Sequence, residues 1–535
     1  MGVRRKAFLL LTRPAAPPPR TPSELLHALT FGAGGAPLVP VPRHATAWPA
    51  WCLTFPATTT MSFAPGCAGS RRVGLSHCET APTVRPMGSL LESVGPGSTY
   101  LKLMKRELSH WGNRRFQRTC QEEKYRNFSL RGFYDTNEDL PGQMTLQFLT
   151  RRSRIVEILA QGGLIFALAH SGACAAFSRA TGKLVCFLNV NEDEVIRSLF
   201  YNKNNNSLIT VSVYASDNFS TLKCRSTSLE CIHRKELDKG VPLFTTESLK
   251  WPGFVEFDDV NSKVLTFNAC DKVYKVFDLR DYRELYQIRN DSVTEIKISP
   301  GIMLLIMEEG VRDGAGQRVP LQILNIETGE VLKALDEDID PKHGSKVDFI
   351  EQFNEKLLVK QEHGPLTIRD VRTGELTTVP SSQFVTPNAF IFLYENQLFL
   401  TFRDRNVEVW NFRGEQVTTF EDHVLWHSDC NTNNIYITSS QDLIISYCHS
   451  GTGPPARAAV ARDGPNPKSG TINISSIMTG KCLAKIEAPQ PCGPEGIAVE
   501  EALTDVTALF YDEQNNEIYT GNRNGVVHVW SNSFK

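Results

Sequence analysis

The sequence has no C-x-x-C pair among its 13 cysteines, no stretch of 18 consecutive apolar residues, and no phosphate-cradling G-x-x-x-x-G-K-[ST]. Each absence removes a class of protein. Scattered thiols inside apolar runs, such as Cys174/Cys186 and Cys224/Cys231, behave as small hydrophobes. That fits a reducing intracellular setting, nucleus or cytoplasm, and argues against a disulfide scaffold. The longest apolar runs, Leu164 to Ala169 and Ile302 to Met307, have strand length, so no membrane span is expected. Gly182-Lys183 and Gly480-Lys481 are followed by Leu184 and Cys482 and belong to hairpins. G-x-S-x-G is missing too, and no Ser, His and acid stand in a nucleophile context.

Acid is what the front of the chain lacks. Residues 1–86 carry nine Lys/Arg against Glu24 and Glu79, whereas 132–535 carry 39 Lys/Arg against 53 Asp/Glu, so a formal charge of −2 hides a basic front and an acidic body. Proline-rich stretches such as "RPAAPPPR" and "APLVPVPRHATAWPAW" cannot sustain a helix or a ladder. Three readings of 1–86 stand: a low-complexity disordered arm, an organelle transit peptide, or a leader ahead of a start at Met61 or Met87. Residues 87–143 read as a basic, aromatic segment with one short helix. Its stripe is Tyr100, Leu101, Met104, Leu108 and Trp111, with Ser98 or Thr99 as N-cap and Gly112 as stop. The following "NRRFQRTCQEEKYRNFSLRGFYD" mixes basic and aromatic residues that could contact nucleic acid through residues 99–131. The expected role is plainer: a basic segment lying on the acidic body of the same chain.

What is present is a repeat. Five times an alternating strand meets a glycine turn and a second strand: "CAAFSRATGKLVCFL", "LQILNIETGEVLKAL", "LTIRDVRTGELTTV", "VEVWNFRGEQVTTF" and "INISSIMTGKCLAKI". Gly182, Gly329, Gly374, Gly414 and Gly480 sit where a tight hairpin demands positive φ. "LKCRSTSLECI" and "VYKVFDLRDYRELYQI" are degenerate copies. Two more strand-like runs precede each hairpin, and the third strands start near residues 173, 222, 273, 321, 366, 407, 471 and 527. The expected fold is therefore all-β, a propeller of four-stranded blades over residues 144–535, with eight blades, or seven as the alternative, and an insertion loop at about 450–469. The eighth unit stops one strand short at "GVVHVWSN". An N-terminal strand must close the ring and cover that edge; Gly142 to Arg151, apolar at Met144, Leu146 and Phe148, is the segment the alternation selects.

These hairpins, with "VEVWN" at Trp410 and "VHVWS" at Trp530, resemble the WD-repeat β-propeller family, in particular divergent transducin/WD-repeat-like proteins of plants. The chain departs from that pattern at Asn411 and Ser531, which replace the family's Asp, and at Phe277-Asp278; no Gly-His dipeptide opens a unit. The resemblance implies a protein-interaction scaffold. WD-repeat substrate receptors of cullin-type ubiquitin ligases share an apolar-Trp-Asp-apolar-Arg strand ending, to which "VFDLR", "IRDVR" and "VWNFR" are similar. By that resemblance, Asp278, Arg280, Asp370, Arg372, Trp410 and Arg413 would face a ligase adaptor. The quinone-dependent propeller dehydrogenases also use a Thr-Gly-Lys turn, but their pattern places a Trp in the strand after it, where this chain has "LVCFL", "EVLKAL" and "CLAKI".

Other candidate chemistry is thin. "EDHVLWHSDC" gathers His423, His427, Asp429 and Cys430, but a spacing of four aligns ligands only on a helix, and this stretch joins two blades. "DGAGQ" and "GTGPPARAAVARDGPNPKSG" read as surface loops. The expectation is a non-enzymatic, monomeric propeller with no cofactor or metal, acting within a complex, whose acidic body favours basic or disordered protein partners.

Overall fold

The computed structural model describes residues 51–54, 124–137, 152–250, 253–289, 291–308, 310–312, 315–339, 346–403, 405–420, 424–426, 433–449, 469–489 and 494–532. The chain divides into two units, residues 1–57 with 127–535, and residues 58–126. The first of these holds a β-propeller of eight four-stranded antiparallel blades. Blades one to seven occupy residues 155–187, 194–243, 254–289, 293–338, 347–379, 389–419 and 435–486; the eighth joins residues 506–531 to Ser129–Asp135. Within each of the first seven, strands pair in chain order. Gly310–Arg312 adds to the fourth blade, and Trp51–Thr54 pairs in parallel with the first strand of the sixth, Ala389–Leu393.

Strand composition follows position in the ring. First strands of neighbouring blades touch one another, so they are innermost. Second strands lie between two neighbouring blades and are buried on both faces; "LIFALA" (Leu164–Ala169) and "LIISYC" (Leu443–Cys448) accordingly read as unbroken or nearly unbroken apolar runs. Fourth strands form the rim, and "VLKALDED" (Val331–Asp338) and "QVTT" (Gln416–Thr419) are mostly exposed.

Apolar clusters fill the six interfaces from blades one/two to six/seven. Between blades seven and eight, Tyr436 stands edge-on to Phe510 and Tyr511, with centroids 5.6 and 5.7 Å away, and Leu509 N donates to Asn433 O. Between eight and one, Tyr134 packs on Phe177 at 5.1 Å, and Arg179 grips Glu517 with two bonds of 2.7 and 2.9 Å. Such pairing of a carboxylate with a planar fork fixes geometry as well as energy. Lys297, between Glu295 (2.6 Å) and Glu351 (2.8 Å), links the innermost strands of blades four and five. Burial pushes the Glu351 carboxyl up to about 7. Cys174, Cys186, Cys224 and Cys448 are buried free thiols, in keeping with their reading as small hydrophobes.

An N-terminal strand does close the ring, but it is Ser129–Asp135 and not Met144 to Leu149. It pairs antiparallel with Val526–Ser531, placing Leu130 opposite Trp530, Phe133 opposite His528 and Tyr134 opposite Val527. Thr136 secures the end: its N and Oγ1 both donate to Gly525 O, at 3.1 and 2.8 Å. The propeller thus begins about fifteen residues before the expected boundary, and Arg131, Phe133 and Tyr134 of the basic, aromatic segment belong to blade eight. The physical reason is that a rim strand buries little: of Ser129–Asp135 only Tyr134 is fully buried, so apolar alternation is a poor guide to it. Residues 138–151, the helix expected at 98–112 and the insertion at 450–468 lie outside the described residues.

Two consequences follow for stability. Tyr134→Ala is expected to destabilise the protein by about 3 kcal/mol, because it removes a buried ring at the seam, whereas Phe133→Ala, at a residue 67% exposed, should change it by under about 0.5 kcal/mol. Paired urea titrations measure the difference. His528, beside the closing strand, has a buried Nδ1 with no hydrogen-bond partner among the described residues, and burial lowers its pKa to about 4 from 6.5. The unfolded chain therefore binds more protons between those values, and this residue's stabilisation, up to about 3 kcal/mol, is present above pH 6.5 and lost as pH falls towards 4. Glu351 acts in the opposite direction, since its raised carboxyl stabilises below its unfolded value and that contribution is lost as pH rises through 7. Comparing unfolding of the parent and His528→Leu across pH 4 to 7 isolates the histidine: the parent should lose more stability on acidification.

Candidate functional site

The six residues singled out by the strand-ending resemblance lie at or next to the turns between the third and fourth strands of blades three, five and six, a position that topology puts on one side of the ring. Their carboxylates are used locally. Asp370 accepts from the backbone N of Arg372 and Thr373, at 2.8 and 2.9 Å, and from Lys356 at 2.9 Å. The Thr373 amide and the Lys356 ammonium hold its carboxyl well below the usual range. Asp278 likewise accepts from the Arg280 N at 2.8 Å, and Asn411 from the Arg413 N at 2.9 Å. These are Asx turns, and they explain why Asp or Asn recurs there. Trp410 is buried edge-on to Phe384, with Nε1 3.3 Å from Glu408, so it serves the interface between blades five and six. The arginines differ. Arg280, Arg372 and Arg413 are exposed; the first two lie 3.6 Å from Asp278 and 3.2 Å from Glu355, and the Arg413 guanidinium has no partner among the described residues.

One residue that composition concealed is Tyr282. It holds the place of the hairpin glycine in blade three, with φ of 60°, close to the 66–80° of the five glycines. A left-handed tyrosine costs about 1–2 kcal/mol. The offset lies in blade two: its hydroxyl accepts from Asn202 (2.9 Å) and Asn205 (3.1 Å), stands 3.3 Å from the Ser226 hydroxyl, and its ring meets Phe244 edge-on. The signal was the alignment of "LRDYREL" with "VRTGEL", in which Tyr falls on Gly.

On the same side of the ring, the ends of the innermost strands enclose a cavity of about 180 Å³, lined among others by Gln161, Gly163, Tyr201, Tyr436, Phe510 and Glu513. Glu513 is already engaged: it accepts from Tyr436 Oη (3.0 Å) and from Ser439 N and Oγ (both 2.7 Å). The space is below the range usual for cofactor pockets and suits a single side chain. His423, His427, Asp429 and Cys430 lie outside the described residues; among those that are described, no three His, Cys, Asp or Glu side chains stand close enough to share an ion. No described helix is long and apolar enough to cross a membrane.

The family described as "Domain of unknown function (DUF7899)" matches residues 113–530. This chain belongs to it. The DUF7899 match takes in all eight blades and the closing strand. No curated protein matches the chain. Among solved structures it is similar to the computationally designed Ika8 protein, with 18% identity over 72% of this chain and 98% of that one, and a TM-score of 0.42. It is also similar to BamB from Moraxella catarrhalis, with 12% identity over 76% and 99%, and a TM-score of 0.38.

If the turn carboxylates cap and the arginines project, the two should separate on mutation. Asp370→Ala is expected to destabilise by about 1 kcal/mol and Arg372→Ala by a few tenths at most, as read from thermal unfolding.

Proposed function

We propose that this protein is a non-catalytic scaffold that holds partner proteins on the surface of its propeller. One observation carries this: eight blades locked by a shared strand present two rims of turns on a rigid frame, with turn carboxylates spent on their own backbone and arginines left outward. A rigid ring with loops at both rims is suited to binding segments of other proteins at little ordering cost. Likeness to the WD-repeat family supports the same role, since Trp410 and Trp530 lie in third strands and are buried there. Affinity purification of the full chain should recover specific partners; a measurable turnover on a small substrate with no partner recovered would overturn the proposal.

A narrower reading, substrate receptor of a cullin-type ubiquitin ligase, draws support from the exposure of Arg280, Arg372 and Arg413 at corresponding turns. Replacing all three by Glu should abolish recovery of a ligase adaptor, and unchanged recovery would remove this role.

A further inference from the structure

Three cationic residues of blades one and two, Arg154, His170 and Arg197, lie near one another at the opposite mouth of the ring. Arg197 is the extra residue of a β-bulge in the innermost strand of blade two, Glu194–Asn202, where the register passes from Ile196/Ser212 to Ser198/Val211. A bulge re-aims its side chain out of the ladder. Ile196 N donates to Gly172 O at 3.0 Å, so the bulge abuts the turn between the second and third strands of blade one. That turn carries His170, whose N donates to Arg154 O at 2.8 Å, bringing in the residue that leads into blade one.

The frame is fixed. Buried Asn189 donates to Gly172 O (3.0 Å) and Glu194 O (2.9 Å) and accepts from Cys174 N (3.0 Å). Gly172, at φ of 94°, leaves no room for a side chain, because a Cβ there would meet Val195.

None of the three cationic side chains has a hydrogen bond or ion pair among the described residues. The acids of the same strands are turned to other work: Glu194 accepts from Ser212 Oγ and Val190 N, both at 2.7 Å, and Glu157 from Leu199 N at 3.4 Å. Arg197 is half-buried, and burial alone holds its guanidinium below its ordinary value. Partial desolvation and the charges of Arg154 and Arg197 lower the imidazole of His170, which like Arg154 is exposed at the surface. A half-buried cation beside another cation, with no acid paired to it among the described residues, is destabilising unless an anion completes it.

We propose that this mouth receives a carboxylate-bearing peptide segment of a partner protein, with Arg197 holding the carboxylate through its planar fork and Arg154 and His170 flanking it. The assignment rests on the scaffold reading and names one of its partners' chemistries. A short acidic motif fits better than a polyanion, because the surrounding body carries 53 acids against 39 bases and repels extended negative charge.

Fluorescence anisotropy of the full chain with a labelled, alternating glutamate–glycine octapeptide tests this, with the glutamine–glycine peptide as control. The acidic peptide should bind, weaken with salt, and lose about tenfold or more in affinity with Arg197→Gln, while Lys481→Gln, at an exposed turn of blade seven, leaves it unchanged. Arg197→Gln should unfold at the same or a higher temperature than the parent, since it removes an unpaired charge. Equal binding to parent and Arg197→Gln, equal binding of the glutamine peptide, destabilisation by Arg197→Gln, or displacement by inorganic phosphate far more readily than by acetate would each overturn it. In affinity purification, partners recovered equally by the parent and Arg197→Gln would overturn this inference and leave the scaffold reading in place, whereas no partner for either would remove both.

Discussion

Every blade of this protein has two apolar faces, and neither can be covered from within the blade. That constraint makes the ring obligatory: each sheet is stable only between two others, so the eighth must meet the first. The meeting is made by a ladder between Ser129–Asp135 and Val526–Ser531, reinforced by Tyr134 on Phe177 and by Arg179 on Glu517. An open ring would expose the edge of Val526–Ser531 and an apolar face on blade one at the same time.

Closure also decides what polar residues can do. Inside the ring a charge is kept by pairing, as in Lys297 between Glu295 and Glu351, whereas burial without a partner favours the neutral form, as in His528. At the third-to-fourth-strand turns the carboxylates and amides of Asp278, Asp370 and Asn411 are drawn inward by bare backbone N–H groups. The guanidinium groups of Arg280, Arg372 and Arg413 make no such backbone bond among the described residues and are exposed. Exposed acids stand beside them at these turns, Glu327, Glu330, Glu375 and Glu415 among them, so the rim carries both signs. Arg197 is the exception, a half-buried cation set on a bulge of an innermost strand with no ion pair among the described residues.

Much of this was legible because strand registers repeat. The eight third strands expected near 173, 222, 273, 321, 366, 407, 471 and 527 coincide with or overlap those observed, and the five hairpin glycines all adopt the positive φ that placed them there. Tyr282 was legible only in hindsight, since a left-handed tyrosine depends on partners 77 and 80 residues away. The closing strand was misplaced for a similar reason: Met144, Leu146 and Phe148 have the stronger alternation, but a rim strand is chosen by the backbone edge it satisfies and not by its own hydrophobicity.

Local chemistry in the sequence thus determined the fold class, a repeat that favoured eight blades over seven, and the positions of the five glycine turns, since period-two burial and positive φ are short-range demands that residues meet on their own. Tertiary structure alone decided which segment seals the ring, which of the Asp and Arg residues at the strand ends face solvent, and that Arg154, His170 and Arg197 share one mouth. Those outcomes depend on edges and faces that exist only after neighbouring sheets have packed together, and local periodicity does not encode them.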